Sequence, residues 1–366
     1  MAEKSSLIFL AAGGTGGHLF PAEALAHALK KRGVEVELAT DHRAAHYDFP
    51  ARAVHLIPSA TLRGRDPVSI LRTAAVLTFG TWRARRLLRR VKPAAVVGFG
   101  GYPTVPPLMA ATMRNIPTVI HEQNGVMGRA NRMLAPRVTK IATGFPTLKN
   151  LDEALKEKTV FTGNPLRPPV IAALATPYRA PSDKLSLLAF GGSQGARVMS
   201  EIVPAAVALL PAETRAKLSI VQQARPEDID QVRAAYARLG VGAECAAFFN
   251  DLPARMAAAQ LIVARSGAST VAELAAIGRP AILVPLPHAL DQDQAANAGA
   301  LEQAGGAIRI MQSDLTPERL AAEITRLAAA PDELARMAAA AKAAGRLDAA
   351  ERLADVVIDM AAALAR

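Results

Sequence analysis

Four glycines and one histidine lie between an apolar run and a helical segment in LAAGGTGGH, residues 10–18. Unsubstituted backbone at such a bend lets a loop hug the end of a strand. It also turns N–H groups, together with the next helix N-terminus, toward an anion such as phosphate. The arrangement returns later in the chain, because LIFLAAGGTGGH (7–18) and LSLLAFGGSQGA (185–196) align without gaps. Neither copy fits the dinucleotide fingerprint G-x-G-x-x-G, since the sixth position holds His18 in one and Ala196 in the other. The bend itself therefore does not need an imidazole. A histidine at a glycine-lined strand end can act as a general base or bind a substrate oxygen. The plainer alternatives are a tight strand-to-helix turn and a helix N-terminal histidine with no chemical task.

Three further loops carry chemistry-bearing residues at strand ends. VVGFGGYPTVPP (96–107) is another glycine-rich turn, with Gly100 and Gly101 followed by the polar tip of Tyr102. HEQNGVMGRANR (121–132) concentrates His121, Glu122, Gln123 and Asn124, or is simply a solvated loop with an Asn-Gly turn. ARSGASTVAEL (264–274) follows another strand and holds Thr270 and Glu273 at capping-box spacing, so the plainer alternative to a binding role is that Glu273 simply satisfies a helix terminus.

The elements that must position these loops are short apolar strands alternating with helices, the pattern of a parallel α/β architecture. SSLIFLAA, VEVELAT, AAVVGFG and PTVIHE read as strands in the first half, and KLSLLAF, KLSIVQQ, LIVARSG, PAILVPLP and GAIRIMQ in the second. A helix is expected to begin near Pro21 and end before Gly33. A length of 366 residues exceeds what one core usually organises, so two domains are expected. TGNPLRPPVIAALATPYRAPSD (162–183), with five prolines, reads as the linker between them.

Composition bounds the class. Hydrophobic residues make up 51% of the chain and charged residues 20%, which suits a folded globular protein. Cys245 is the single cysteine, so an intrachain disulfide and a cysteine metal cluster are excluded and a reducing compartment is expected. LIFLAA is too short for a signal-peptide core, which points to the cytoplasm. The charge of +11 is lopsided: residues 1–150 carry 21 Lys and Arg against 8 Asp and Glu, and the remainder 22 against 24. A basic half implies an anionic partner. Nucleic acid is disfavoured, because aromatics are only 4% and no nucleic-acid motif accompanies the charge. The segment PVSILRTAAVLTFGTWRARRLLRRVK (67–92) is too interrupted to span a bilayer, and it suits docking on an anionic membrane surface or, more plainly, an amphipathic helix with a solvated basic face.

GGTGGHLFPA, GFGGYPTVPP, HEQNGVMGRANR, TGNPLR, GGSQGAR, RSGASTVAEL and PLPHALDQDQAANA occur in an order that closely resembles the bacterial peptidoglycan N-acetylglucosaminyltransferases of glycosyltransferase family 28. The resemblance runs over nearly the whole chain. It implies the GT-B fold, two Rossmann-like domains with parallel sheets facing a central cleft. The implied division is an acceptor- and membrane-binding domain over 1–163, a UDP-sugar domain over 164–345, and a C-terminal helix over 346–366 crossing back to the first. The implied reaction is inverting transfer of N-acetylglucosamine from UDP-N-acetylglucosamine to the 4-hydroxyl of the muramyl sugar of lipid I, giving lipid II at the cytoplasmic face of the inner membrane.

Site roles follow from the same resemblance. His18 is the preferred base, Glu122 its rival, and Asn124 positions the acceptor. Glu273 takes the ribose hydroxyls, backbone groups at Phe249 read uracil, and Arg167, Ser193 and Gln194 surround the donor diphosphate. Ala268, Ser269, Thr270, Asp293 and Gln294 line the sugar pocket; Thr15, Gly16, Gly17 and Asn124 complete the UDP-N-acetylglucosamine set. The acceptor diphosphate falls to Gly14, Gly100, Gly101 and Tyr102. No cofactor and no metal are expected: no Asp-x-Asp stands at a strand end, and DQDQ at 291–294 belongs with the sugar pocket. A UDP-sugar epimerase and a non-catalytic membrane or nucleic-acid binder are the alternatives from other classes.

Overall fold

The computed structural model describes residues 7–13, 15–44, 47–61, 66–192, 195–287 and 292–363. The chain forms two compact units: one runs to Arg167 and takes in the chain again from Leu347, and the other is Pro168–Arg346.

The first unit is built on seven parallel strands: β1 (Leu7–Ala11), β2 (Glu35–Thr40), β3 (Ala53–Leu56), β4 (Ala95–Gly98), β5 (Thr118–Glu122), β6 (Lys140–Thr143) and β7 (Thr159–Phe161), in the order β3-β2-β1-β4-β5-β6-β7. Central strands are apolar along their length because helices cover both faces, and every residue of β1 and β4 is buried. The order reverses between β1 and β4. Loops leaving those two strands therefore splay apart and leave a crevice at their carboxyl ends, where such sheets bind ligands. The helix Ala349–Ala363 packs on the helix Gly16–Lys31, burying Leu353 and Val357 with Leu25 and Leu29.

The second unit repeats the plan with six parallel strands: β8 (Leu185–Phe190), β9 (Leu218–Gln223), β10 (Ala243–Ala246), β11 (Leu261–Ala264), β12 (Ala281–Leu283) and β13 (Ala307–Arg309), in the order β10-β9-β8-β11-β12-β13. Its reversal lies between β8 and β11, so the chain leaving Phe190 and the RSGAST loop leaving Ala264 flank the second crevice.

Two sequence expectations need correction. The first helix begins at Gly16, not near Pro21, so Pro21 lies inside it and His18 stands in its first turn. The missing Pro21 N–H leaves one carbonyl, that of Gly17, without its helical donor, and Gly17 is exposed. Strands β3, β6, β7 and β10 were not expected. Each has only three or four residues, and β3, β7 and β10 are sheet edges with mixed exposure.

Candidate functional site

In the first unit the two glycine bends meet around one side chain. Gly100 (φ +80°) and Gly101 (φ +73°) follow β4 in left-handed conformations that favour glycine. Thr104 Oγ1 donates to the Ala11 carbonyl (3.1 Å) and the Gly100 carbonyl (2.7 Å), and Phe99 N–H donates to Ala11 (2.8 Å), which ties this turn to the end of β1. The His18 imidazole fills the space between. A Cβ built at Gly13 or Gly101 would stand 3.2 Å from the ring, and one at Gly100 3.4 Å. Bare backbone is thus what makes room for the histidine. Burial holds the imidazole below its ordinary pKa, against a weaker opposing pull from the Phe99 backbone and the Gln123 side chain, so His18 is neutral near pH 7. Thr15 and Tyr102 are partly exposed beside it, and Gly16 and Gly17 open the helix.

Glu122, the last residue of β5, is buried, and both its oxygens are occupied. Oε1 accepts from Asn124 N–H (3.1 Å) and Asn124 Nδ2 (3.2 Å); Oε2 accepts from Gly128 N–H (2.9 Å) and Asn131 Nδ2 (2.8 Å). Burial raises the carboxyl's pKa and these four donors oppose the rise. The carboxylate folds the 123–128 loop and holds Asn124 at its mouth. His121 is inert: Nε2 donates to the Gly163 carbonyl (3.0 Å), Nδ1 accepts from Gln123 Nε2 (3.2 Å), and burial lowers its pKa to about 4.

In the second unit the bend after β8 carries Gly192 at φ +93° and Gly195 at φ +70° before the helix Arg197–Leu209. Gln223, ending β9, accepts from Gly191 N–H (3.0 Å) and donates to the carbonyls of Gly192 (2.9 Å) and Ala247 (3.2 Å). Phe249 is buried two residues beyond Ala247, with the Arg255 guanidinium 4.2 Å from its ring centroid. After β11 the helix Ala268–Ile277 is capped by Gly267, so Ala268, Ser269 and Thr270 form its first turn, with N–H groups unclaimed by the helix. The capping-box expectation fails here. Thr270 is the third helical residue rather than the cap, and Glu273 sits, mostly buried, in the second turn. Ser266 Oγ donates to the Gln294 carbonyl (2.9 Å) and Asn297 Nδ2 to the Ser266 carbonyl (3.1 Å), so Gln294 is fastened to the foot of that helix. Arg265 fixes the same corner by donating to the carbonyls of Val284 (3.1 Å) and Pro285 (3.0 Å).

The structure therefore groups His18, Thr15, Gly16, Gly17, Gly100, Gly101 and Tyr102 at one crevice, with Glu122 and Asn124 on the next strand end. It groups Ala268, Ser269, Thr270, Glu273 and Gln294 at the other crevice, where Asp293 starts the helix Asp293–Gln303. Gly14, Ser193 and Gln194 lie outside the described residues. Arg167 ends the first unit, its guanidinium stacked 3.6 Å over the Phe20 ring. Sequence reasoning missed Thr104, Asn131, Gln223 and Arg265; only the paired polar residues closing KLSIVQQ, at the end of an otherwise apolar strand, signalled one of them. Among the described residues no three His, Cys, Asp or Glu side chains are grouped to hold a metal.

Outside the crevices, the helix Pro67–Val91 exposes Val68, Ile70, Leu71, Phe79 and Trp82, and the Phe79 and Trp82 rings stack at 5.9 Å. Its last turns and β3 line a groove of about 720 Å³ that includes Leu56, Trp82, Arg83, Arg86 and Arg90. No helix among the described residues is long and apolar enough to cross a membrane.

Two doubly wound units, each opening a glycine turn at its topological switch point, define the GT-B fold. The chain belongs to glycosyltransferase family 28: residues 8–143 match the glycosyltransferase family 28 N-terminal domain and residues 186–353 its C-terminal domain. It is 60% identical over 365 residues, 99% of this chain and 97% of the relative, to the UDP-N-acetylglucosamine--N-acetylmuramyl-(pentapeptide) pyrophosphoryl-undecaprenol N-acetylglucosamine transferase of Rhodopseudomonas palustris strain BisB18. The crystal structure of MurG from Acinetobacter baumannii superposes with a TM-score of 0.78 at 29% identity, covering 97% of this chain and 99% of that one. A putative UDP-N-acetylglucosamine 2-epimerase from Listeria monocytogenes shares the fold, with a TM-score of 0.65 at 15% identity over 96% of this chain and 95% of that one.

Proposed function

We propose that this enzyme transfers N-acetylglucosamine from UDP-N-acetylglucosamine to the muramyl 4-hydroxyl of lipid I, the undecaprenyl-pyrophosphoryl-muramyl peptide, and so makes lipid II. The observation that carries the reading is the His18 imidazole, kept neutral by burial and enclosed by two glycine turns at one switch point. The substrates named for the Rhodopseudomonas relative support the choice of donor and acceptor.

In this mechanism the acceptor diphosphate lies on the backbone of the turns at 13–17 and 98–101. The 4-hydroxyl attacks the anomeric carbon of N-acetylglucosamine and the bond to the UDP oxygen breaks, inverting the configuration to a β1,4 linkage. His18 accepts the hydroxyl proton as that bond forms. Asn124, held by Glu122, orients the acceptor, so Glu122 positions rather than reacts. The second unit holds the donor: Phe249 backbone for uracil, Glu273 for ribose, the 191–195 turn with Ser193 and Gln194 for diphosphate, and Ala268, Ser269, Thr270 and Gln294 for the sugar. Negative charge growing on UDP is met by the N-terminus of the helix Arg197–Leu209 and by Arg167.

The acceptor and the inner-leaflet lipids are both anionic, which gives the basic half its purpose. The exposed apolar and arginine-rich surface of the Pro67–Val91 helix seats the enzyme peripherally on the cytoplasmic face of the inner membrane. Incubation with labelled UDP-N-acetylglucosamine and a lipid I analogue tests the function. Disaccharide-lipid product is expected; release of a free sugar isomer, or no sugar chemistry, would refute it.

A further inference from the structure

We propose that Gln223 is a positioning residue for the donor: one carboxamide that fixes the diphosphate turn and the base-reading loop in register. The inference rests on the donor assignment above. Strand β9 lies between β8 and β10, so its end stands between the loop leaving β8 and the loop leaving β10. Gln223 is only 5% exposed, and it reaches both loops. Its Oε1 takes the Gly191 N–H, and its Nε2 donates to Gly192 on one side and Ala247 on the other. The bend needs such a brace because it has no side chains of its own at Gly191, Gly192 or Gly195. It is also closed so tightly that a Cβ at Gly191 would stand 2.3 Å from the Ala196 nitrogen.

Only a carboxamide does this. A carboxylate at 223 would still accept from Gly191 but would face two carbonyl oxygens it cannot donate to, and a methionine would fill the space and release all three backbone groups. The neighbouring Gln222 provides an internal control. Because side chains alternate along a strand, it points to the opposite face, where it donates to the Met199 carbonyl (3.0 Å) and accepts from the Tyr236 hydroxyl. That pair joins the helices Arg197–Leu209 and Ile229–Leu239 within the core.

The test compares Gln223→Glu, Gln223→Met, Gln222→Met and Gly192→Ala in the full-length enzyme, measuring UDP affinity, donor KM, kcat and melting temperature. Both Gln223 variants are expected to weaken UDP binding and raise donor KM by about tenfold or more, while kcat at saturating donor stays within about threefold. Discrimination between UDP and CDP should narrow as the base loop loosens. Gln222→Met should lower the melting temperature and leave donor KM alone. If the Gln223 variants keep wild-type UDP affinity while Gly192→Ala loses it, the brace is wrong and the donor assignment stands. Unchanged affinity in Gly192→Ala as well overturns both. A loss of affinity in Gln222→Met equal to that in the Gln223 variants would reduce Gln223 to general stability and also defeat the proposal. Should Gln223→Glu fail to fold, Gln223→Met reads the same quantities.

Discussion

A Cβ built on Gly101 would stand 3.2 Å from Nε2 of His18, so the second glycine turn is in contact with the imidazole that the first one carries. The two residues are far apart in sequence. They meet because β1 and β4 are neighbours at the sheet's reversal point and their loops leave the same edge.

Gly101→Ala tests that contact. The new methyl meets the ring, and alanine at φ +73° adds strain of about 1 kcal/mol. With the base displaced, kcat should fall about tenfold or more while donor KM holds. A variant with normal kcat would show that the enclosure is irrelevant to turnover.

His18→Ala and Glu122→Gln should separate base from brace. Loss of the base predicts a fall in kcat of about 100- to 10,000-fold with the fold intact. Glu122→Gln places an NH2 against a backbone N–H, so its main effect should be a loss of about 1–3 kcal/mol of stability. The wild-type acid limb of kcat/KM should lie below 6.5, because burial depresses the His18 pKa and keeps the base form present to lower pH. Turnover abolished by Glu122→Gln in fully folded protein, or an acid limb above 7, contradicts the assignment.

His121 predicts a pH-dependent stability. Its folded pKa of about 4 lies below the ordinary 6.5, so the unfolded chain binds the proton first. The contribution is complete above pH 6.5 and is lost as pH falls toward 4, reaching about 3 kcal/mol. Urea unfolding of wild type and His121→Gln at pH 7.5 and pH 5 should show the smaller change in the variant. Equal slopes would contradict a buried neutral imidazole.

Exchanging Phe79 and Trp82 for serine, or Arg83 and Arg86 for glutamate, should weaken binding to anionic vesicles and leave transfer to a water-soluble acceptor analogue unchanged. The arginine effect should shrink as salt rises. Vesicle binding that survives both pairs would place the membrane surface elsewhere.

What was legible in the sequence follows from which signals are local. Central strands announce themselves because both faces are buried, as in LIFLA and LSLLAF. The edge strands AVHL, TVF and AECA do not, being short and half solvated. The glycine bends were visible as repeats, yet the helix was expected to begin near Pro21 although Gly16 and Gly17 begin it. Glycine's weak helix propensity is overridden where the strand end dictates the chain's path. Thr270 looked like a cap because its spacing to Glu273 fits one, whereas Gly267 does that work. The partners of Glu122 and Gln223 were hidden, since Asn131 lies nine residues along from Glu122 and the link from Gln223 to Ala247 spans neighbouring strands.

The central claim is that each unit's glycine crevice holds a different diphosphate. Hydrogen exchange of the full chain with UDP, and separately with a lipid I analogue, tests it most directly. UDP should protect 191–195, 247–249 and 268–270, and the acceptor analogue should protect 13–18 and 99–101. Protection by UDP at 13–18 with none at 191–195 would contradict it.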